Sequence, residues 1–233
     1  SRRSFFVFTD PSSMEHFPMS LGASGEASPV VSDLDGDGRD EVILATADGT
    51  IRILRWERSG VREQRLLLIP GETVIREPVV SDLLGRGEPA IVVASREGKI
   101  YAFNSTGDRL KGFPVSIRAA SSRRASPEHL VETGILSKPV LADLDGKRGK
   151  EIVVTALDGN VYAWRGDGKP LPGFPVAVED KRTGRQSKIV STPAVGDIDG
   201  DGRPEIVFGS NGVSKGLAAA YAIHADGRLH SGG

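Results

Sequence analysis

Short apolar runs, each bounded by glycine, aspartate or proline, recur along the whole chain. Such runs are typical of β-strands, whereas apolar stripes of helical period are scarce. Some runs are apolar at consecutive positions, as at 42–44, which is expected for strands covered on both faces of a sheet. The pattern therefore predicts an all-β protein.

The strand pattern repeats four times. Each copy reads as a strand ending in aspartate, a tight glycine-rich turn, a second strand, a two-residue hairpin and a third strand. Counted from the first aspartate of each turn, at Asp33, Asp82, Asp143 and Asp197, the spacings are 49, 61 and 54 residues. Periods in this range are typical of propeller blades or arrays. A fourth strand is clearest in "GDRLKGFPVS" and "GDGKPLPGFPVA". We therefore predict a β-propeller of four-stranded antiparallel blades.

We interpret residues 1–233 as a single propeller domain or part of one. Blades start near residues 28, 77 and 138, a half blade occupies 1–27, and an incomplete blade occupies 192–233. This arrangement favours a segment of a larger propeller of about seven blades. The alternative is a four-bladed ring closed by the two ends, which would contain one third strand too many.

Two of the turns are strongly acidic: turn 1 (33–41, "DLDGDGRDE") and turn 4 (197–205, "DIDGDGRPE"). The run D-x-D-x-D-G resembles an EF-hand loop, but that loop needs a glutamate at position 12 and flanking helices. Position 12 is Leu44 or Phe208 here, and the last carboxylate comes at position 9, directly before a strand. Converging carboxylates repel each other without a counter-ion. A compact cation site explains the pattern better than turn formation alone, and Ca²⁺ suits an all-oxygen cage better than Mg²⁺.

Five ligands are predicted for each site: the carboxylates at positions 1, 3, 5 and 9 and the main-chain carbonyl at position 7. They are Asp33, Asp35, Asp37, Arg39 and Glu41 in turn 1, and Asp197, Asp199, Asp201, Arg203 and Glu205 in turn 4. In turn 3 (143–151) Lys147 replaces the third aspartate, so its ammonium could lie among Asp143, Asp145 and Glu151 in the place of the ion, and we leave calcium at this copy open. In turn 2 (82–90) three ligand positions have become Leu84, Arg86 and Ala90, so the copy at Asp82 is expected to bind no ion.

The motif D-x-D-G-D-G-x-x-[DE], present at 33–41 and 197–205, resembles the FG-GAP or VCBS-type repeats of integrin α-subunit-like propellers. The resemblance extends in register over about 200 residues. It implies a calcium-binding propeller, with calcium ligands in turns 1 and 4. Members of this family are typically secreted or surface adhesion and binding modules, and some carbohydrate-active lyases are built on similar propellers.

The composition of the chain limits which classes of binding partner are expected. The chain has 30 basic and 31 acidic residues, which gives no charge excess for nucleic acid or a membrane surface. No apolar run is long enough for a membrane span, and the absence of cysteine excludes disulfides. Weak calcium sites suit compartments rich in calcium, so we expect an exported protein, extracellular or at the cell surface.

Two irregular inserts, at 116–137 and 179–191, connect a fourth strand to the next first strand. Because strands alternate in direction, both inserts are expected on the face opposite the acidic turns. Both are rich in basic residues, and functional residues concentrate on loops held by rigid scaffolds. We therefore predict that this face binds a protein or glycan partner.

The leading hypothesis is a non-catalytic binding, adhesion or scaffolding module, because no catalytic constellation stands out. The alternative is part of a polysaccharide lyase-like enzyme, in which the basic inserts would supply a cation. A structural spacer domain is a third possibility. The "RGD" at 165–167 aligns with a turn between third and fourth strands, so we interpret it as a turn. Surface or packing roles are expected for all four histidines, which are His16, His129, His224 and His230.

Overall fold

The computed structural model describes residues 19–57, 60–67, 71–117, 134–179, 187–211 and 218–229. All regular secondary structure in these ranges is β-strand, which confirms the all-β prediction. Within the same ranges there is no helix that could cross a membrane.

The strands form four antiparallel sheets that follow one another in chain order. Sheet 1 contains β1 (Val30–Ser32), β2 (Glu41–Ala45), β3 (Thr50–Glu57) and β4 (Gly60–Leu67). Sheet 2 contains β5 (Val79–Ser81), β6 (Ala90–Ala94), β7 (Lys99–Asn104) and β8 (Val115–Ser116). Sheet 3 contains β9 (Val140–Ala142), β10 (Glu151–Thr155), β11 (Asn160–Trp164) and β12 (Val176–Ala177). Sheet 4 contains β13 (Ala194–Gly196), β14 (Glu205–Ser210) and β15 (Ala219–His224).

Each sheet is a simple meander in which every strand pairs with the next strand of the chain. The predicted fourth strands of sheets 2 and 3 are confirmed, although β8 and β12 are only two residues long. A proline, Pro114 or Pro175, directly precedes each of them and has no N–H to donate to a ladder. In sheet 4 the described residues contain three strands.

The hydrophobic core lies between the sheets. Three clusters of buried residues each combine the facing sides of two successive sheets. In β6, for example, Ile91 and Val93 pack toward sheet 1, whereas Val92 packs toward sheet 3. Stacking of successive sheets face to face is the arrangement of propeller blades.

The second strands of sheets 2 and 3, which lie between two neighbouring sheets, are more buried than the second strand of sheet 1. The second strands of sheets 2 and 3 are buried at every position, as predicted for strands covered on both faces. In β2 burial alternates, and Val42 and Leu44 remain partly exposed. The sequence pattern alone did not distinguish these strands, because all of them are apolar at consecutive positions.

The first strands of neighbouring sheets lie side by side: β1 beside β5, β5 beside β9, and β9 beside β13. Turns 1 to 4 connect first to second strands and therefore lie together at one end of the sheets, which we call the turn face. The hairpins between second and third strands lie at the opposite end, which we call the hairpin face.

Candidate metal centres on the turn face

The first aspartate of turn 1 shapes the turn itself. Asp33 accepts the N–H of Gly36 at 2.8 Å through Oδ1 and the N–H of Gly38 at 3.0 Å through Oδ2. Both glycines have positive φ, 77° and 84°, which residues with a Cβ rarely adopt. The glycines therefore let the chain curl around the Asp33 carboxylate.

The same device recurs in other turns. In turn 4 Asp197 accepts the N–H groups of Gly200 at 2.7 Å and Gly202 at 2.9 Å. In turn 2 Asp82 accepts those of Arg86 at 2.9 Å and Gly87 at 2.7 Å, and the Gly87 hydrogen bond lowers the pKa of Asp82. The first aspartate thus has a structural role even in the copy that lost three ligand positions.

The structure brings the aspartates of each acidic turn together. One carboxylate oxygen from each of Asp33, Asp35 and Asp37 lies within 4.8 Å of the others, and the equivalent three aspartates of turn 4 form a matching group. The donors are all oxygen, which is the set that Ca²⁺ prefers, and such close carboxylates repel one another without a cation. On these two grounds the residues fit the ion.

The glutamate at position 9 lies beneath the turn and is buried. Glu41 Oε2 accepts the N–H of Leu34 at 2.8 Å, and Glu151 and Glu205 make the same contact with the residue at position 2 of their own turns. Burial raises the pKa of Glu41 and of Glu151. Glu41 lies outside the group of three aspartates within 4.8 Å. Its ligation, like that of the Arg39 and Arg203 carbonyls, stays a prediction.

Sequence reasoning gave no metal-site role to one position that faces this glutamate, since His224 was expected only on the surface or in packing. The residue opposite position 9 on the third strand is His224 in sheet 4 and Asn104 in sheet 2. The registers of β3 and β11 place Arg55 and Arg165 at the equivalent position in sheets 1 and 3. The signal was present in the repeat alignment: a basic or titratable residue occurs where position 9 is glutamate, and the neutral Asn104 occurs where position 9 is Ala90.

In turn 3 two side chains bring positive charge to one aspartate. Lys147 Nζ lies 2.8 Å from Asp145 Oδ2, and Arg165 Nη2 lies 3.3 Å from the same oxygen. The hydrogen bond from Lys147 lowers the pKa of Asp145. One oxygen from each of Asp143, Asp145 and Glu151 also lies within 4.8 Å of the others. The expected ammonium is therefore beside the acidic group, on Asp145.

Two hydrogen bonds to backbone carbonyls of turn 2 join it to turn 3, and we call this contact the backbone lock. The Lys150 N–H donates to the Leu83 carbonyl at 2.9 Å, and Arg148 Nε donates to the Gly85 carbonyl. A Cβ on Gly85 would lie 2.6 Å from the backbone nitrogen of Gly149. Contacts between sheets therefore hold turn 2 in shape.

The three residues of the RGD tripeptide contact other residues of the chain in the same region. Arg165 pairs with Asp145, Asp167 Oδ2 pairs with Lys169 Nζ at 2.8 Å, and a Cβ on Gly166 would lie 2.5 Å from the Leu83 carbonyl. These contacts support its interpretation as a structural turn.

A groove with a volume of about 810 Å³ lies beside turn 2, between the segments that follow β7 and β11. Leu84 and Leu110 supply apolar surface, and the exposed cations Arg86, Lys111 and Lys169 line it. Lys169 is paired with Asp167, whereas no side-chain ion pair of Arg86 or Lys111 occurs within the described residues. The groove therefore presents positive charge that the sequence analysis did not anticipate on this face.

Most of the two predicted inserts falls outside the described residues, at 118–133 and 180–186, as do His16, His129 and His230. The described end of the first insert lies at the hairpin face, where the Ile117 N–H donates to the Gly98 carbonyl at 2.9 Å. The partner surface on the inserts stays a prediction.

Comparison with known proteins identifies a repeat and a fold. Residues 143–208 match the family model of the FG-GAP-like repeat. The rhamnogalacturonan endolyase YesW of Bacillus subtilis (strain 168) is 28% identical over 210 residues, which cover 87% of this chain and 30% of the relative. The chain thus spans less than a third of the length of this curated protein.

Two solved structures show the fold. BBS1N, from its complex with ARL6DN, superposes with a TM-score of 0.60 at 16% identity, over 97% of this chain and 60% of that chain. The V. cholerae biofilm matrix protein Bap1 gives a TM-score of 0.57 at 20% identity, over 87% of this chain and 27% of that chain. The structural neighbours are β-propellers. The chain therefore carries an FG-GAP-like repeat at residues 143–208 within a β-propeller fold.

Proposed function

We propose that this chain is a calcium-stabilised β-propeller that acts as a non-catalytic binding module for a protein or glycan partner. The observation that carries the calcium proposal is the pair of aspartate groups in turns 1 and 4, whose oxygens converge within 4.8 Å. The bound ion supplies positive charge that offsets the repulsion between these carboxylates. The role is then structural, since the ion fixes turns 1 and 4 at the ends of sheets 1 and 4.

Calcium titration calorimetry on matched variants tests this proposal. Asp37→Lys and Asp201→Lys place at position 5 the lysine that turn 3 already carries, so each is expected to remove one equivalent of bound calcium. Asp40→Lys makes the same charge change at position 8, which is not a predicted ligand, and is expected to retain both equivalents. Equal calcium stoichiometry in all three variants would refute the two sites.

A role in binding is supported by the partners of similar proteins. The BBS1N structure is a complex with a protein, ARL6DN, and the name of YesW gives a glycan as its substrate. We place the partner on the insert-bearing hairpin face, at 116–137 and 179–191. Deleting 119–134 is expected to abolish capture of the partner from an extracellular extract while leaving the melting temperature near wild type. If the folded deletion variant captures the partner as well as the wild type does, the partner binds at another surface.

A polysaccharide lyase-like activity is the second candidate. Two observations favour it: the identity to YesW and the cationic groove lined by Arg86, Lys111 and Lys169, which is suited to acidic sugars. Incubation with rhamnogalacturonan and other acidic polysaccharides, followed by the ultraviolet absorbance of unsaturated products, tests it. Turnover that Lys111→Glu/Lys169→Glu abolishes would establish the enzyme in place of the binding module.

Export follows from the same reasoning. Calcium is abundant outside cells, where weak sites are occupied. We therefore propose an extracellular or cell-surface location. Antibody detection in the medium and at the surface of the source cells is expected, and detection confined to the lysate would exclude it.

A further inference from the structure

Sheet 4 differs from the other sheets at the position opposite the ninth residue of its turn. It carries His224, where sheets 1 and 3 carry arginine and sheet 2 carries Asn104. A neutral imidazole is a common metal ligand, whereas a guanidinium keeps its protons and offers no lone pair. Turn 4 therefore has a nitrogen donor beside its carboxylates, which the other described turns lack at this position.

The geometry around His224 suits coordination. His224 Nδ1 lies 3.1 Å from Glu205 Oε1, and one ligand atom from each of Asp199, Glu205 and His224 lies within 4.8 Å of the others. A tetrahedral ion with bonds of about 2.0 Å separates its ligands by roughly 3.3 Å. In the structure His224 and Glu205 share a hydrogen bond at 3.1 Å, and an ion would replace the proton of that bond with little change in a spacing already close to one edge of such a site.

Glu205 is held in place for this contact. It is fully buried, and its Oε2 accepts the N–H of Ile198 at 3.1 Å, which directs Oε1 toward His224. Outer hydrogen bonds of this kind orient metal ligands. His224 also lines an open cavity between turns 3 and 4, of about 630 Å³, through which an ion could enter.

The equivalent positions in sheets 1 and 3 hold a fixed positive charge. Arg55 lies 3.6 Å from Glu41 and 3.8 Å from Asp35, the carboxylates at positions 9 and 3 of turn 1. Arg165 lies 3.3 Å from Asp145, at position 3 of turn 3. In sheet 4 the same carboxylates face His224, whose imidazole can either donate a hydrogen bond to Glu205 or bind a metal ion, which a guanidinium cannot do.

We propose that Asp199, Glu205 and His224 form a site for a borderline divalent ion such as Zn²⁺ or Co²⁺. Mixed imidazole and carboxylate ligands suit such ions, whereas calcium takes oxygen ligands. The inference deepens the proposed function, because the site shares two residues with the predicted calcium site of turn 4. The two ions therefore compete in turn 4, while turn 1, with Arg55 in place of histidine, takes calcium only.

Cobalt titration followed by its visible absorption tests the proposal. The background is a variant with glutamine at positions 16, 129 and 230, so that His224 is the remaining histidine. In this background one equivalent of Co²⁺ is expected, with spectral bands of nitrogen ligation. His224→Asn copies the residue of sheet 2 and His224→Arg copies that of sheet 1. Both are expected to weaken Co²⁺ binding by at least about tenfold.

Arg55→His provides the converse experiment, because it places an imidazole opposite Glu41 in turn 1. A second equivalent of Co²⁺ is expected. Unchanged Co²⁺ affinity in His224→Asn overturns the proposal, even if calcium binds normally. If turn 1 binds no calcium in any of these proteins while Co²⁺ still binds through His224, the proposed calcium role is overturned. The His224 site is supported by the same result.

Discussion

Turns 1 and 2 occupy equivalent positions in neighbouring sheets, yet different interactions hold them. In turn 1 three aspartates converge, and a Cβ on Gly36 would meet nothing within 4 Å. In turn 2 three of the ligand positions are lost, and Gly85 packs directly against the backbone of turn 3. Only the first aspartate performs the same task in both turns. The comparison teaches that a nine-residue turn can be held by contacts from the next sheet where the acidic group is absent.

Calcium removal should produce the largest difference between the two kinds of turn. At a calcium concentration of a hundred times the dissociation constant, each bound ion adds about 2.7 kcal/mol to the free energy of unfolding. Chelation is therefore expected to lower the melting temperature of the wild type and to leave the double variant Asp37→Lys/Asp201→Lys unaffected. If chelator leaves the melting temperature of the wild type unchanged, calcium does not distinguish turn 1 from turn 2.

Glycine substitutions should show the opposite asymmetry. Gly85→Ala imposes both the strain of positive φ and a clash with Gly149, so we expect a loss of about 2–5 kcal/mol in the free energy of unfolding. Gly36→Ala imposes strain without a clash, so a loss of about 1–2 kcal/mol is expected. Urea denaturation of both variants in chelator measures the difference. Equal losses would show that the close approach of turns 2 and 3 contributes little.

Lys147→Asp tests whether this one side chain accounts for the difference in calcium binding that we expect between turns 1 and 3. Lys147 is two-thirds exposed, so the loss of its ion pair with Asp145 should cost less than about 1 kcal/mol without calcium. With calcium we expect one additional bound equivalent, measured by calorimetry. If no additional equivalent binds, Lys147 is not what separates the two turns, and the difference lies in the backbone of turn 3, because turn 1 also has an arginine, Arg55, at the position of Arg165.

The pH dependence of Glu151 should be the smallest effect. Burial raises its pKa above the ordinary 4.5, so the folded state holds the proton more tightly than the unfolded state. Its contribution to stability is therefore present below pH 4.5 and is lost as pH rises through the raised pKa. Glu151→Gln should flatten this part of the stability curve, measured by urea denaturation from about pH 4 to about pH 7. The exposed Glu88→Gln in turn 2 is the control, and an unaltered curve in Glu151→Gln would contradict the assignment.

The sequence was sufficient for features that depend on local pattern. The strands, the turns and the stacking of repeats follow from apolar runs and glycine positions, and the convergence of Asp33, Asp35 and Asp37 follows from their alternation within one turn. The sequence was insufficient where contacts cross between strands or sheets. The placement of His224 against Glu205 depends on the register of β14 and β15, and the lock between Gly85 and Gly149 depends on the distance between sheets.

The backbone lock between turns 2 and 3 also bears on how the molecule comes apart. Sheets 2 and 3 are joined by hydrogen bonds between protein groups, which need no metal ion, whereas under the calcium proposal the turns of sheets 1 and 4 depend on calcium. A protease added under calcium starvation would then cleave the flanking sheets first and leave the central pair as a resistant fragment.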